Sequence, residues 1–192
     1  MAIAYFITHP EVTINPSVPV PDWSLSSEGV RRVVRLLDQA WVRSVRTVFT
    51  SAERKALEAA QILADHLSLE PVVIAELGEN DRSATGFLPK AEFELVADEF
   101  FAHPDESVRG WERAIDAQRR IVRAVNSAIA TAPRDGDIAI VSHGAVGALL
   151  RCHLEGMSIS RTEDQPAGGG GNLYSFDVES RHLLSGWLRI DE

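Results

Sequence analysis

Cysteine is nearly missing from this 192-residue chain: Cys152 stands alone, so no intramolecular disulfide can form. With Leu149, Leu150 and Leu154 beside it, a buried structural thiol is expected, not a reactive one. No apolar run approaches the length that spans a bilayer, and no membrane association is expected. Met1 to Ile7 is apolar but short, lacks a basic leader and runs into His9-Pro10-Glu11. It does not read as a signal peptide, and a cytoplasmic location is expected. Positive charge is also short. Nineteen basic side chains face 28 acidic ones, a formal charge of −9, which disfavours a nucleic-acid partner and any broad steering of anions. An anionic ligand would need local attraction. The six histidines show no His-x-x-x-His or Cys/His spacing, so no metal and no cofactor are expected. Gly168–Gly171 lacks the Lys-Ser/Thr of a P-loop and reads as a flexible loop before a strand.

What is present is a globular chain. Hydrophobic residues at 45% and charged residues at 24% argue against disorder, and the length suits one domain over residues 1–192. Ala2 to Thr8 is a continuous apolar run of the kind found in buried parallel strands. A proline-rich loop follows, Asn15 to Trp23. A helix is predicted over Ser26 to Ala40, with Val30, Val33, Val34, Leu36 and Leu37 inward and arginines 31, 32 and 35 solvated. Val45 to Phe49 reads as a strand, and Thr50-Ser51 as the cap of a helix over Ala52 to Leu67. Val72 to Ala75 is a short strand, Leu77 to Lys90 a loop, and Ala91 to Phe101 a helix. Ser107 is placed at the start of a longer helix to Ala132. Asp137 to Val141 is a strand, Gly144 to Leu154 a helix, and Leu173 to Val178 and Leu183 to Ile190 are strands. Strands alternate with helices, which predicts an α/β fold: a three-layer αβα domain with a mostly parallel twisted sheet and helices on both faces.

In such a sheet, ligands gather at the carboxyl ends of strands, beside helix N-termini with unpaired N–H groups. Three strand ends carry suitable side chains: His9 after the first, Arg54 in Thr50-Ser51-Ala52-Glu53-Arg54 after the second, and His143 in Ser142-His143-Gly144 after the fourth. Each has a plainer reading, as a loop histidine, a solvated arginine and a turn histidine. Together they point to an anion site. An arginine at a helix start opposes the helix dipole, and an anion there would relieve it. The four tryptophans read as packing residues, with Trp23 a candidate substrate contact from its loop.

These residues resemble the histidine phosphatase superfamily (phosphoglycerate mutase-like). Ile7-Thr8-His9-Pro10-Glu11, with Asn15 six places on from the histidine, resembles its opening signature, and Leu25-Ser26-Ser27-Glu28-Gly29 its Leu-Ser/Thr-x-x-Gly segment. Thr50-Ser51 through Arg54 and Glu58-Ala59-Ala60 is similar to its Ser-x-x-x-Arg-x-x-x-Thr-Ala stretch, with Arg54 one place nearer the serine. Leu77-Gly78-Glu79 resembles its acid-bearing segment, Glu106-Ser107 with Arg113 a helix start, and Val141-Ser142-His143-Gly144 its second histidine motif. The resemblance implies that His9 is the nucleophile, that Arg54 and His143 hold phosphoryl oxygens, and that Glu79 protonates the leaving group, with Asp81 and Glu76 as other carboxylates in reach. It further implies Thr8, Asn15, Arg82 and Gly144 as substrate-binding positions and a small phosphorylated substrate as partner, and it leaves the oligomeric state open.

This chain has Thr8-His9-Pro10 where the family has Arg-His-Gly. Thr8 removes a charged phosphate clamp, and such bonds contribute about 1.5–3 kcal/mol each. Arg82 is read in two ways, as the replacement guanidinium or as a surface arginine paired with Asp81. Three functions follow: a metal-independent phosphatase acting through a phosphohistidine, a mutase, or a phosphate- or protein-binding relative that has lost catalysis. The loop at 80–88 and the helix at 91–103 are expected to line the pocket.

Overall fold

The computed structural model describes residues 2–192. In chain order the elements are β1 (Ile3–Thr8), α1 (Ser27–Leu36), β2 (Val45–Thr50), α2 (Arg54–Leu67), β3 (Val72–Val73) and α3 (Lys90–Ala102). They continue with α4 (Ala114–Thr131), β4 (Asp137–Ser142), α5 (Gly144–Leu154), β5 (Asn172–Asp177) and β6 (Leu188–Arg189), joined by short 3-10 turns. One sheet holds the strands in the order β3-β2-β4-β1-β5-β6. The first four are parallel, β5 runs against β1, and β6 runs against β5.

Side chains alternate across the sheet, so each strand supplies both cores. Ala4 and Phe6 of β1 pack with Ile138, Ile140 and Tyr174 against α3, α4 and α5. Tyr5 and Ile7 pack with Val48, Ala139 and Val141 against α1 and α2. This is the predicted three-layer α/β architecture. No helix among the described residues is long and apolar enough to cross a membrane.

Local differences from the sequence-based boundaries have physical causes. The helix placed over Ser107 to Ala132 begins only at Ala114: Ser107 Oγ donates to the Trp111 carbonyl, and Arg109 and Gly110 take left-handed φ values of 50° and 81°. That break cannot be helical. Leu183 to Ile190 pairs as a strand only at Leu188–Arg189, with an isolated bridge from Leu183 to Phe176. On α1 the buried stripe is Gly29, Arg32, Val33 and Leu36, while Val30 and Val34 are exposed. Arg32, expected in solvent, is only 1% exposed. Its guanidinium binds Glu11, Asp191 and the carbonyls of Gly170 and Gly171. An ion pair of that kind tolerates burial because nearly every donor has an acceptor.

The segment Leu25–Gly29 also explains itself. Ser26 caps α1 by accepting the Gly29 N–H at 3.1 Å, and its own N–H reaches the Glu11 carbonyl at 2.9 Å. A Cβ on Gly29 would overlap that carbonyl oxygen, so only glycine lets α1 approach the chain beyond His9.

Candidate active site

The register of the sheet brings the site together. Thr8 pairs with Ser142, and Thr50 with Val141, so β1, β4 and β2 end at one edge. The residues that follow, His9, His143 and Ser51, are therefore neighbours. The His9 N–H donates to the Ser142 carbonyl and the Ser51 N–H to the Val141 carbonyl, which extends the ladder one step into the site. The His9 and His143 ring centroids lie 5.1 Å apart, edge to face.

Each imidazole is held on one side. His9 Nδ1 lies 2.9 Å from the Pro10 carbonyl. His143, with no exposed surface, sets Nε2 2.7 Å from Ser51 Oγ and 3.4 Å from Glu53 Oε1. Among the described residues its Nδ1 has no hydrogen-bond partner, and neither has Nδ2 of the buried Asn80. Burial pushes the His9 pKa down to about 4, with the nearby Lys55 and Arg82 charges adding to the shift. Burial pushes His143 well below the usual histidine range as well. Both rings are neutral near pH 7.

Two carboxylates stand beside them in different states. Glu53 accepts the Glu79 N–H at 2.8 Å and pairs with the Lys55 ammonium. Burial opposes its ionisation, but the charge and hydrogen bond of Lys55 and the Glu79 N–H outweigh burial and hold its pKa at about 2. Glu79 sits at the N-terminus of α5 and accepts N–H groups from Ala145 and Val146 at 3.2 and 3.1 Å. Burial raises its pKa, against the pull of Arg82 and those N–H donors. One carboxyl is held as an anion, while burial makes the other harder to ionise.

The cations differ from the sequence-based reading. Arg54 turns away: its side chain is 61% exposed and pairs with Glu58 at 2.8 Å. The next residue, Lys55, is 3% exposed and lies at the site, with its ammonium on Glu53 and on the Val20 carbonyl at 2.8 Å. The cause is the helix start. α2 begins at Arg54 with Glu53 at its cap, and Ser51 spends its hydroxyl on His143, so the face turned inward is one residue later than supposed. Counting four residues on from Ser51 lands on Lys55, a signal present in the sequence. Glu53 and Asn80 carried no comparable signal.

Thr8 faces β5, not the histidines. Its hydroxyl donates to Gln165 Oε1 at 2.7 Å and accepts the Asn172 N–H at 3.0 Å. The Gln165 amide fills the space over Gly144, where a Cβ would collide with it. Asn15 is exposed and caps Ser17, so its side chain is committed to the loop. Trp23 is buried, with its indole N–H on the Asn15 and Val18 carbonyls. Arg82 lies over the rings of Phe93 and Trp111, at 5.0 and 5.6 Å, and its charge acts on both histidines and on Glu79. Asp81 is not its partner; that carboxylate accepts the Ser83 N–H. Gly168–Gly171, expected as a flexible loop, is tied down: all four glycines have positive φ, Gly171 N–H donates to the His9 carbonyl, and Arg32 holds the run.

A cavity of about 1070 Å³ opens beside the histidines, lined among others by Val20, Glu53, Glu79, Asn80, Arg82 and Trp111. The two rings are not in its wall; Glu53, in contact with His143, is the junction. Among the described residues no cluster of three or more His, Cys, Asp or Glu side chains is arranged to hold a metal ion.

No curated protein sequence is a significant match to the chain. Solved structures are similar over its whole length. A mycobacterial glucosyl-3-phosphoglycerate phosphatase with inorganic phosphate is 18% identical, with 100% of both chains covered and a TM-score of 0.81. Bacillus stearothermophilus YhfR is 21% identical, again over 100% of both chains, at 0.81. A phosphoserine phosphatase variant from Entamoeba histolytica in complex with phosphoserine is 18% identical over 96% of each chain, at 0.72. At such identities the likeness establishes the fold. The family follows from sequence: the profile of the histidine phosphatase superfamily (branch 1) matches residues 4–183, and the chain belongs to that superfamily.

Proposed function

We propose that this chain, acting as one domain, is a metal-independent phosphomonoesterase that works through a phosphohistidine on His9. The carrying observation is the hold on that ring. With Nδ1 donating to the Pro10 carbonyl, the lone pair is left on Nε2, beside a second neutral imidazole. Nε2 attacks phosphorus, the bond to the leaving oxygen breaks, and Glu79 gives that oxygen its proton. Water then attacks phosphorus, the N–P bond breaks, Glu79 takes the water proton, and inorganic phosphate leaves with His9 restored. Burial, which makes Glu79 harder to ionise, suits this role.

Phosphoryl transfer is mostly positioning and charge stabilisation. Lys55 and Arg82 supply positive charge in this reading, taking the place of Arg54 and of the arginine missing at Thr8. If Ser51 donates to His143 Nε2, the ring proton sits on Nδ1, a buried donor with no protein acceptor, suited to a phosphoryl oxygen. A second reading, a phosphate-binding relative without turnover, is favoured by Thr8 and by the bond between Lys55 and Glu53.

Hydrolysis of 4-nitrophenyl phosphate separates the two. Turnover that persists in EDTA, disappears in His9→Ala and leaves acid-labile phosphate on the protein during reaction is expected. Tight vanadate binding without turnover indicates the binding relative, and transfer to a second acceptor without net hydrolysis indicates a mutase.

A further inference from the structure

We propose that the leaving group this site accepts carries no second anion: the substrate is a phosphate monoester of a neutral or amine-bearing alcohol, and esters with a carboxylate or a second phosphate are disfavoured. The inference rests on the phosphatase reading. With phosphorus at His9, the rest of the ester extends past Glu53 and Glu79 into the adjoining cavity.

Arg120 and Arg82 are the basic residues lining that cavity among the described residues, and Lys55 lies beside Glu53 of its wall. Arg120 donates through Nε to Glu112, through Nη1 to the Glu76 and Gly78 carbonyls, and through Nη2 to the Glu79 carbonyl and Glu112. A guanidinium has five N–H groups, and all five are used. Lys55 is bound to Glu53 and Val20. Arg82 is stacked on Phe93 and Trp111 and pairs with no carboxylate among the described residues; in the phosphatase reading its N–H groups serve the phosphoryl group. In that reading Arg82, the lining cation without an acidic partner among the described residues, is taken up by the phosphoryl group, and none remains for a carboxylate on the leaving group.

Carboxylates, by contrast, stand open. Glu76 and Asp81 line the same cavity and are exposed, and among the described residues neither pairs with a basic side chain. An anion entering the cavity meets their charge, and an amine is drawn to it. Among the described residues the one buried unpartnered side-chain polar atom in the wall is neutral: Nδ2 of Asn80, 4% exposed, is a donor fitted to a hydroxyl or ester oxygen. Pro19, Val20 and Pro21 offer apolar surface to a carbon skeleton.

The test uses three aryl phosphates of closely similar leaving phenols, with 4-ethyl, 4-(2-aminoethyl) and 4-(carboxymethyl) substituents. The amine ester should exceed the acid ester in kcat/KM by about tenfold at low salt, the order expected for one or two exposed charge pairs. The ratio should shrink as sodium chloride screens the cavity and fall towards one in Glu76→Gln/Asp81→Asn. An acid ester equal to or better than the amine overturns the proposal. Affinities of the same esters for the protein are measured by calorimetry. Should none be turned over, the phosphatase reading fails alone, and the order of affinities still decides the selectivity.

Discussion

Arg54 and Lys55 adjoin in the chain, yet one faces solvent and the other the site, and a helix start two residues later than the capping pattern suggests accounts for both. One residue along a helix turns the side chain through about 100°. In the phosphatase reading this gives opposite expectations for adjacent substitutions. Lys55→Met should lower kcat/KM about 10- to 100-fold, the equivalent of one charge-assisted bond, with partial rescue by Lys55→Arg. Arg54→Ala should leave kcat/KM within about twofold and stability within about 0.5 kcal/mol, because an exposed i,i+4 pair contributes little. His9 carries a second prediction. Folded His9 takes up a proton only near pH 4, against 6.5 for a free imidazole. Between those values the unfolded chain binds more protons, so stability is lost as pH falls from 6.5 to 4, by about 3 kcal/mol for this group. Urea titrations across that range should show the slope reduced in His9→Asn.

At the scale of elements, the two histidine motifs and the strand-to-helix turn at Ser142–Gly144 were legible because each is local. Apolar runs ended at chemistry-bearing residues, and the parallel sheet then aligned those ends. What could not be read was set by distant partners. Thr8 is spoken for by Gln165 and Asn172, and Arg32 by Glu11, Asp191 and glycine carbonyls, none of them visible in a window around either residue. An arginine on an amphipathic helix reads as solvated until its acceptors are known. The glycine of Leu-Ser-x-x-Gly was legible as a motif but not as a contact. Gly29→Ala should destabilise by about 1–3 kcal/mol in equilibrium unfolding, because the added methyl drives α1 off the Glu11 carbonyl.

Across the whole molecule, residues from both the first and the last strands converge on the segment that carries His9. Arg32 is the clasp, joining Glu11, the glycine run and Asp191 behind His9. Arg32→Ala leaves two acidic side chains without their buried cation and should cost about 3–5 kcal/mol, well above the effect of any exposed arginine on the same helix. Thermal unfolding of Arg32→Ala beside Arg31→Ala makes the comparison, with a much lower midpoint expected for the first.

The position of β1 between β4 and β5 has a consequence for biosynthesis. The strand that leads to His9 leaves the ribosome well before its neighbours, residues 137–142 and 172–177. Until they emerge, Ile3–Thr8 is an apolar strand with two unsatisfied edges, open to pairing with other nascent chains. Closing such distant pairings is slow. A cell making this protein quickly should therefore lose more of it to aggregation than its folded stability suggests.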